Sequence, residues 1–157
     1  MSYTYCKTPE SIDVLTAHLR KTIGPATAKK NRYILLDCEG RDLGAQNGKL
    51  GLIQIGIGDA VYLVDVVALP EAVDKLKSFL QNPSLLKYVW DGRSDYSELR
   101  HGHNVTLRGL VDLQLAYIHT QVQPSKTIRL AGMMQAAEAL HVAKSEVLSQ
   151  IRSGISL

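Results

Sequence analysis

A chain of 157 residues suits one domain with a real core. It is 45% hydrophobic and 21% charged, the balance of an ordinary globular protein rather than a disordered or fibrous one. The net charge of +3 at pH 7 is mildly basic, which permits a nucleic-acid partner without demanding one.

The two cysteines, Cys6 and Cys38, form no Cys-x-x-Cys pair. Neither a zinc site nor a disulfide framework is expected, and a reduced intracellular compartment, cytoplasmic or nuclear, fits best. The opening Met1-Ser2-Tyr3-Thr4-Tyr5 lacks the basic and apolar regions of a signal peptide. No apolar run reaches the roughly 18 residues of a membrane helix, and the longest, Ala60 to Leu69, is broken by Asp65. No membrane association is expected.

Tyr3 to Cys6 reads as a short edge strand. Thr8 is a natural N-cap before Pro9, and Ile12, Leu15, Leu19 and Ile23 follow at helical spacing until Gly24-Pro25 stops the run. Ala26 to Arg32 is a basic connector. Tyr33 to Glu39 reads as a strand, and the Gly- and Asn-rich segment from Arg41 to Lys49 as a turn. Leu50 to Ile57 is a second strand, Gly58-Asp59 a two-residue hairpin turn, and Val61 to Asp65 a third strand. These three form an antiparallel meander.

Helical and extended segments then alternate. Pro70 opens a helix with Val73, Leu76, Phe79 and Leu80 on one face, ended by Asn82-Pro83. Leu86 to Trp90 reads as a short strand with Trp90 in the core. Ser94 to Arg100 reads as a helix capped by Ser94 and closed by Gly102. Thr106 to Leu113 contains a further short strand, and Asp112 to His119 starts a helix. Gln121 to Lys126 is a loop, and Ile128 to Leu140 and Lys144 to Ile151 are helical. A meander followed by alternating elements implies one α/β domain with a mixed sheet.

The chemistry centres on Tyr33-Ile34-Leu35-Leu36-Asp37-Cys38-Glu39-Gly40. Residues i and i+2 of a strand share a face, so Asp37 and Glu39 stand together while Cys38 points away. Adjacent carboxylates repel unless something positive joins them, and a hard divalent cation suits oxygen ligands. The alternative is that Glu39 starts a solvated loop and Asp37 caps a turn. Asp95 falls in the first turn of a helix, where an acid also suits the helix dipole. Gln54 reaches substrate or is a hydrogen-bonded core residue. Arg41, Lys49, Arg93 and Arg100 form a loose basic rim for phosphates or are solvated surface charges. His101 and His103, at i and i+2, bind metal or suit a helix C-terminus, and the second reading is preferred.

Four segments occur in one order: Ile34-Leu35-Leu36-Asp37-Cys38-Glu39, Leu52-Ile53-Gln54-Ile55, Lys87-Tyr88-Val89-Trp90-Asp91-Gly92-Arg93-Ser94-Asp95, and Val111-Asp112-Leu113-Gln114-Leu115-Ala116. Together they resemble the DEDD 3′–5′ exonucleases of the ribonuclease D and Werner type, over Tyr33 to about Glu146. The resemblance implies a ribonuclease H-like fold with a five-stranded mixed sheet and helices on both faces. It also implies a single exonuclease-like domain over residues 1–157. Asp37, Glu39 and Asp95 match the family's catalytic, metal-binding acids, and Asp112 a structural landmark. The family holds two Mg²⁺ or Mn²⁺ ions between these acids, one helping to form hydroxide and the other stabilising the leaving 3′ oxygen. Gln54 and Arg93 are the expected substrate-binding residues. The expected partner is nucleic acid with a free 3′ end, RNA or single-stranded DNA.

The family's fourth motif is an Asp preceded by a Tyr or His, yet no Asp follows Asp112. His141 and Glu146 have the spacing of the family's histidine branch, with Glu replacing Asp. The expectation is a C-terminally incomplete domain: a fragment, an alternative product or a degenerate member. Two functions follow: a metal-dependent 3′–5′ exonuclease, or an inactive module that binds RNA or protein, with a homodimer formed through the incomplete C-terminal side.

Overall fold

The computed structural model describes residues 2–24 and 32–116. The helices expected at Ile128 to Leu140 and Lys144 to Ile151, the loop at Gln121 to Lys126, and His141 and Glu146 lie outside the described residues. So does the C-terminal side assigned to a dimer.

The elements are β1 (Ser2–Cys6), α1 (Pro9–Ile23), β2 (Tyr33–Arg41), β3 (Lys49–Ile57), β4 (Ala60–Asp65), α2 (Ala72–Leu80), β5 (Leu86–Val89), α3 (Arg93–Gly102) and β6 (Leu110–Asp112). They build one six-stranded mixed sheet in the order β1-β4-β3-β2-β5-β6. The meander β2–β3–β4 is antiparallel, β5 runs parallel to β2, and β6 parallel to β5. The resemblance implies five strands, while the edge strand read at Tyr3 to Cys6 adds one more, as observed. The sixth is β1, an edge strand parallel to β4 with Tyr3 opposite Val61. The α/β class with a mixed sheet stands.

Local chemistry sets most boundaries. Thr8 Oγ1 accepts from the Ser11 N–H and Ser11 Oγ accepts from the Thr8 N–H, a reciprocal cap with Pro9 at the first helical position. Gly24, at φ 55°, ends α1 with its N–H on the Arg20 carbonyl. The helix α2 starts two residues after Pro70. Asp65 Oδ1 accepts from the N–H groups of Val67 and Ala68, holding the segment before the helix as turns.

The two faces of the sheet follow the period-2 pattern. Ile34, Leu36 and Cys38 of β2 join Ile53 and Ile55 of β3 in the main core, against Leu15 and Leu19 of α1 and Leu76 and Leu80 of α2. A smaller cluster on the other face holds Val61 and Leu63 with Leu35, Leu52, Tyr3 and Tyr5 packed against it. That second face carries the acids of β2.

Candidate active site

In β2, Asp37 lies opposite Gln54 and Glu39 opposite Leu52 of β3. The buried and half-buried positions alternate, so Asp37 and Glu39 share a face and Cys38 faces the core, as expected. A β-bulge follows between Glu39 and Gly40. Gly40 is required there: a Cβ would lie 2.0 Å from the Lys49 carbonyl oxygen.

The ladder between β2 and β5 stops at the pair Leu35 and Tyr88. Beyond it, the edge of β2 is open to α3. Burial and the nearby Asp37 push the Asp95 carboxyl up to about 7. A hydrogen bond from the Cys38 backbone N–H works against that rise, and Asp91 and Asp112 add to it more weakly. Asp95 is buried. It therefore sits among carboxylates, with one backbone donor for its charge.

The turn that delivers Asp95 differs from the sequence expectation. Ser94 is not the N-cap. Gly92 takes that position and makes no side-chain cap bond, and α3 begins at Arg93. The turn's donors go to Asp112 at the end of β6: Oδ1 accepts from the Asp91 N–H at 3.3 Å and Oδ2 from the Gly92 N–H at 3.2 Å. Asp112 Oδ1 also accepts from the N–H groups of Gln114 and Leu115. Asp112 thus pins the β5–α3 turn to β6 and fixes the approach of Asp95.

Gln54 is fully buried. Its Nε2 donates to Asp37 Oδ2 at 2.9 Å, and its Oε1 has no hydrogen-bond partner. Arg93, at the first position of α3, is exposed and forks onto Asp91, with Nε donating at 2.7 Å and Nη2 at 3.1 Å. Arg41 and Lys49 are exposed cross-strand neighbours, and Arg100 donates to Asn104 Oδ1. His101 lies in the last turn of α3 and His103 is its C-cap. Trp90 is 45% exposed rather than in the core, because β5 ends at Val89 and Asp91, at φ 51°, turns the chain away.

Two buried residues had no role in the sequence reading. Glu98 Oε2 accepts from the Gly44 N–H at 3.1 Å and Ser97 Oγ donates to the Gly44 carbonyl, tying the β2–β3 loop to α3. The signal was present: Asp95, Glu98 and Leu99 fall on one helical face. Lys87 donates to the carbonyls of Asn82 and Arg108, and burial draws its ammonium down to about 8. A lysine inside an apolar strand carried no comparable signal.

No three His, Cys, Asp or Glu side chains among the described residues converge closely enough to hold a metal ion by themselves. The structure brings Asp37 and Asp95 together and places Glu39 two residues along the same strand face. An all-oxygen donor set in which one carboxyl resists ionisation beside another fits a hard divalent cation.

The chain belongs to the 3′–5′ exonuclease family, which it matches over residues 15–155. It is similar to Trypanosoma brucei RNase D in a GMP complex, with 26% identity and a TM-score of 0.62, over 73% of this chain and 34% of that one. The same enzyme complexed with RNA matches at 26% and 0.61, over 73% and 38%. The Aedes aegypti Nibbler EXO domain shares the fold at 17% identity and a TM-score of 0.61, over 78% of this chain and 58% of that one. The chain therefore spans about a third of the length of the RNase D chains. No curated protein sequence matches it. No helix among the described residues is long and apolar enough to cross a membrane.

Proposed function

We propose that this domain removes nucleotides from the free 3′ end of RNA or single-stranded DNA by phosphodiester hydrolysis that depends on Mg²⁺ or Mn²⁺. The observation that carries this reading is the placement of Asp95 beside Asp37, at the edge of β2 that β5 leaves uncovered. A carboxyl held up to about 7 by burial and a second acid is a poor structural choice and a good cation ligand. Membership of the 3′–5′ exonuclease family supports the same chemistry.

Asp37 and Asp95 would hold the cation, with Glu39 joining from the same strand face. The ion supplies Lewis acidity for charge that develops on the phosphate. The chain's own residues place those acids: Asp112 holds the turn before Asp95, and Glu98 holds the β2–β3 loop against α3. Arg93 meets backbone phosphates. Its present partner Asp91 forms an exposed pair worth little, so a phosphate can recruit the guanidinium.

The test is a ladder assay on 5′-labelled single-stranded RNA and DNA with Mn²⁺. Stepwise shortening from the 3′ end, lost in Asp37→Ala, is the expected result. Retention of the full-length substrate by wild type, with binding intact, would instead establish a module that binds without cutting.

A further inference from the structure

We propose that Gln54 is a positioning residue for the metal site. Its Nε2 fixes the Asp37 carboxylate, and its Oε1 accepts a hydrogen bond from a water of hydration on the cation that Asp37 holds. This rests on the reading of Asp37 as a cation ligand.

The amide has only one tenable orientation. The Nε2 amide donates to Asp37 Oδ2, an acceptor oxygen, across 2.9 Å. A flipped amide would set two acceptors against each other. The orientation leaves Oε1 as the one buried side-chain N or O atom among the described residues without a partner, on a residue with no exposed surface. Its same-face neighbours in the sheet supply no side-chain donor. Asp37 lies opposite on β2, Leu63 opposite on β4, and Leu52 and Gly56 lie two residues either side along β3.

A buried acceptor left unmatched is costly, so a glutamine is a poor choice for the centre of a strand if it serves packing alone. Leucine or methionine would fill the volume without an orphaned oxygen. What makes glutamine suitable is that it presents a donor and an acceptor side by side. The donor engages the ligand carboxylate. The acceptor, next to that carboxylate, is where the hydration shell of a bound divalent cation brings O–H donors. Partners that orient metal ligands typically change metal affinity about 10- to 100-fold when removed.

The test compares wild type with Gln54→Met, which keeps the volume and removes both polar ends. Mn²⁺ alone is the probe, by calorimetric titration and by the rise in melting temperature it produces. The expected result is a Mn²⁺ dissociation constant raised about 10- to 100-fold. The melting temperature of the metal-free variant should be equal to or above that of wild type. A role in packing predicts the opposite pair, unchanged affinity and a lower metal-free melting temperature, and that result overturns the proposal.

A measurement on wild type alone covers the case in which Gln54→Met does not fold. In ¹⁵N-labelled protein, the Gln54 side-chain amide should shift on Mg²⁺ addition with the midpoint of metal binding. The Gln81 amide, whose Oε1 already accepts from the Thr106 N–H, should not. A Gln54 amide that stays still while Mg²⁺ binds overturns the assignment. Wild type that binds neither ion overturns the metal reading itself. The two failures are therefore distinct.

Discussion

Replacing Asp95 with Asn should change how stability depends on pH. Burial and Asp37 lift the Asp95 carboxyl from its ordinary 3.8 to about 7. Between those values the folded protein keeps a proton that the unfolded chain has released. The stability from this group is therefore fully present below pH ~4 and lost as pH rises through about 7. At about 1.4 kcal/mol per pH unit, the ceiling on that loss is about 4 kcal/mol, and local relaxation brings the expectation to about 2–4 kcal/mol. Asn is close to isosteric, cannot ionise, and can still accept the Cys38 N–H. Metal-free Asp95→Asn should match wild type near pH 4 and exceed it by that margin at pH 8. Urea denaturation with a chelator present, at intervals from pH 4 to 8, measures the difference directly. Carboxyls with lowered values, such as Asp91 and Glu10, contribute slopes of the opposite sign, and they cancel in the comparison. Saturating Mn²⁺ should restore wild type at pH 8 and leave the variant unchanged. Two curves that run parallel to within about 0.5 kcal/mol across the whole range would refute the account of Asp95 as an acid crowded by Asp37.

Two further variants test the supports of the site, and a third is a control away from it. Asp112→Ala removes the acceptor for four backbone N–H groups and should cost about 3 kcal/mol in urea denaturation, with Mn²⁺ affinity falling as the turn before Asp95 loosens. Gly40→Ala forces a Cβ to within 2.0 Å of the Lys49 carbonyl and should cost about 3 kcal/mol or prevent folding, read by circular dichroism and by soluble yield. Thr8→Ala breaks the cap of α1, far from the acids. It should cost about 1 kcal/mol in thermal denaturation and leave nuclease activity unchanged.

Much of the sheet was legible because a period of two is hard to disguise. The alternation through Tyr33–Glu39 put Asp37 and Glu39 on one face and Cys38 on the other, and the same rule set Gln54 apart from Ile53 and Ile55. The cap at Thr8 was legible because its partners lie three residues apart. The misreadings share the opposite property. Ser94 looked like an N-cap, but the acceptor for that turn is Asp112, on another strand and out of reach of any local rule. Pro70 looked like a helix start, but Asp65 holds the intervening residues as turns through its own side chain. Trp90 looks like core as the end of a short apolar strand, yet the chain turns at Asp91 immediately after. Among the described residues, the pairing of Gln54 with Asp37 was the part of the site that the pattern came closest to revealing. The face was predictable, but the hydrogen bond and the orphaned oxygen were not.

Two acids on one helix have different surroundings. Asp95 and Glu98 lie three residues apart on α3, on the same face, at 6% and 5% exposure. Each occupies a position where an apolar residue would pack without penalty. Glu98 has a local use: it receives the Gly44 N–H while Ser97 donates to the Gly44 carbonyl, so it latches the β2–β3 loop. Asp95 also receives one N–H, from Cys38, but the charged groups that act on it are Asp37, Asp91 and Asp112. Glu98 has a donor for its charge and serves the loop; Asp95, with carboxylates around it, is the acid to which the proposed function gives the cation. The same helix turn serves both purposes because Glu98 steadies the loop beyond Glu39 while Asp112 steadies the turn before Asp95. Loosening either anchor should therefore lower cation affinity before it weakens the fold, with Mn²⁺ affinity falling in Glu98→Met, which keeps the size and removes the acceptor for the Gly44 N–H, by more than its metal-free stability predicts.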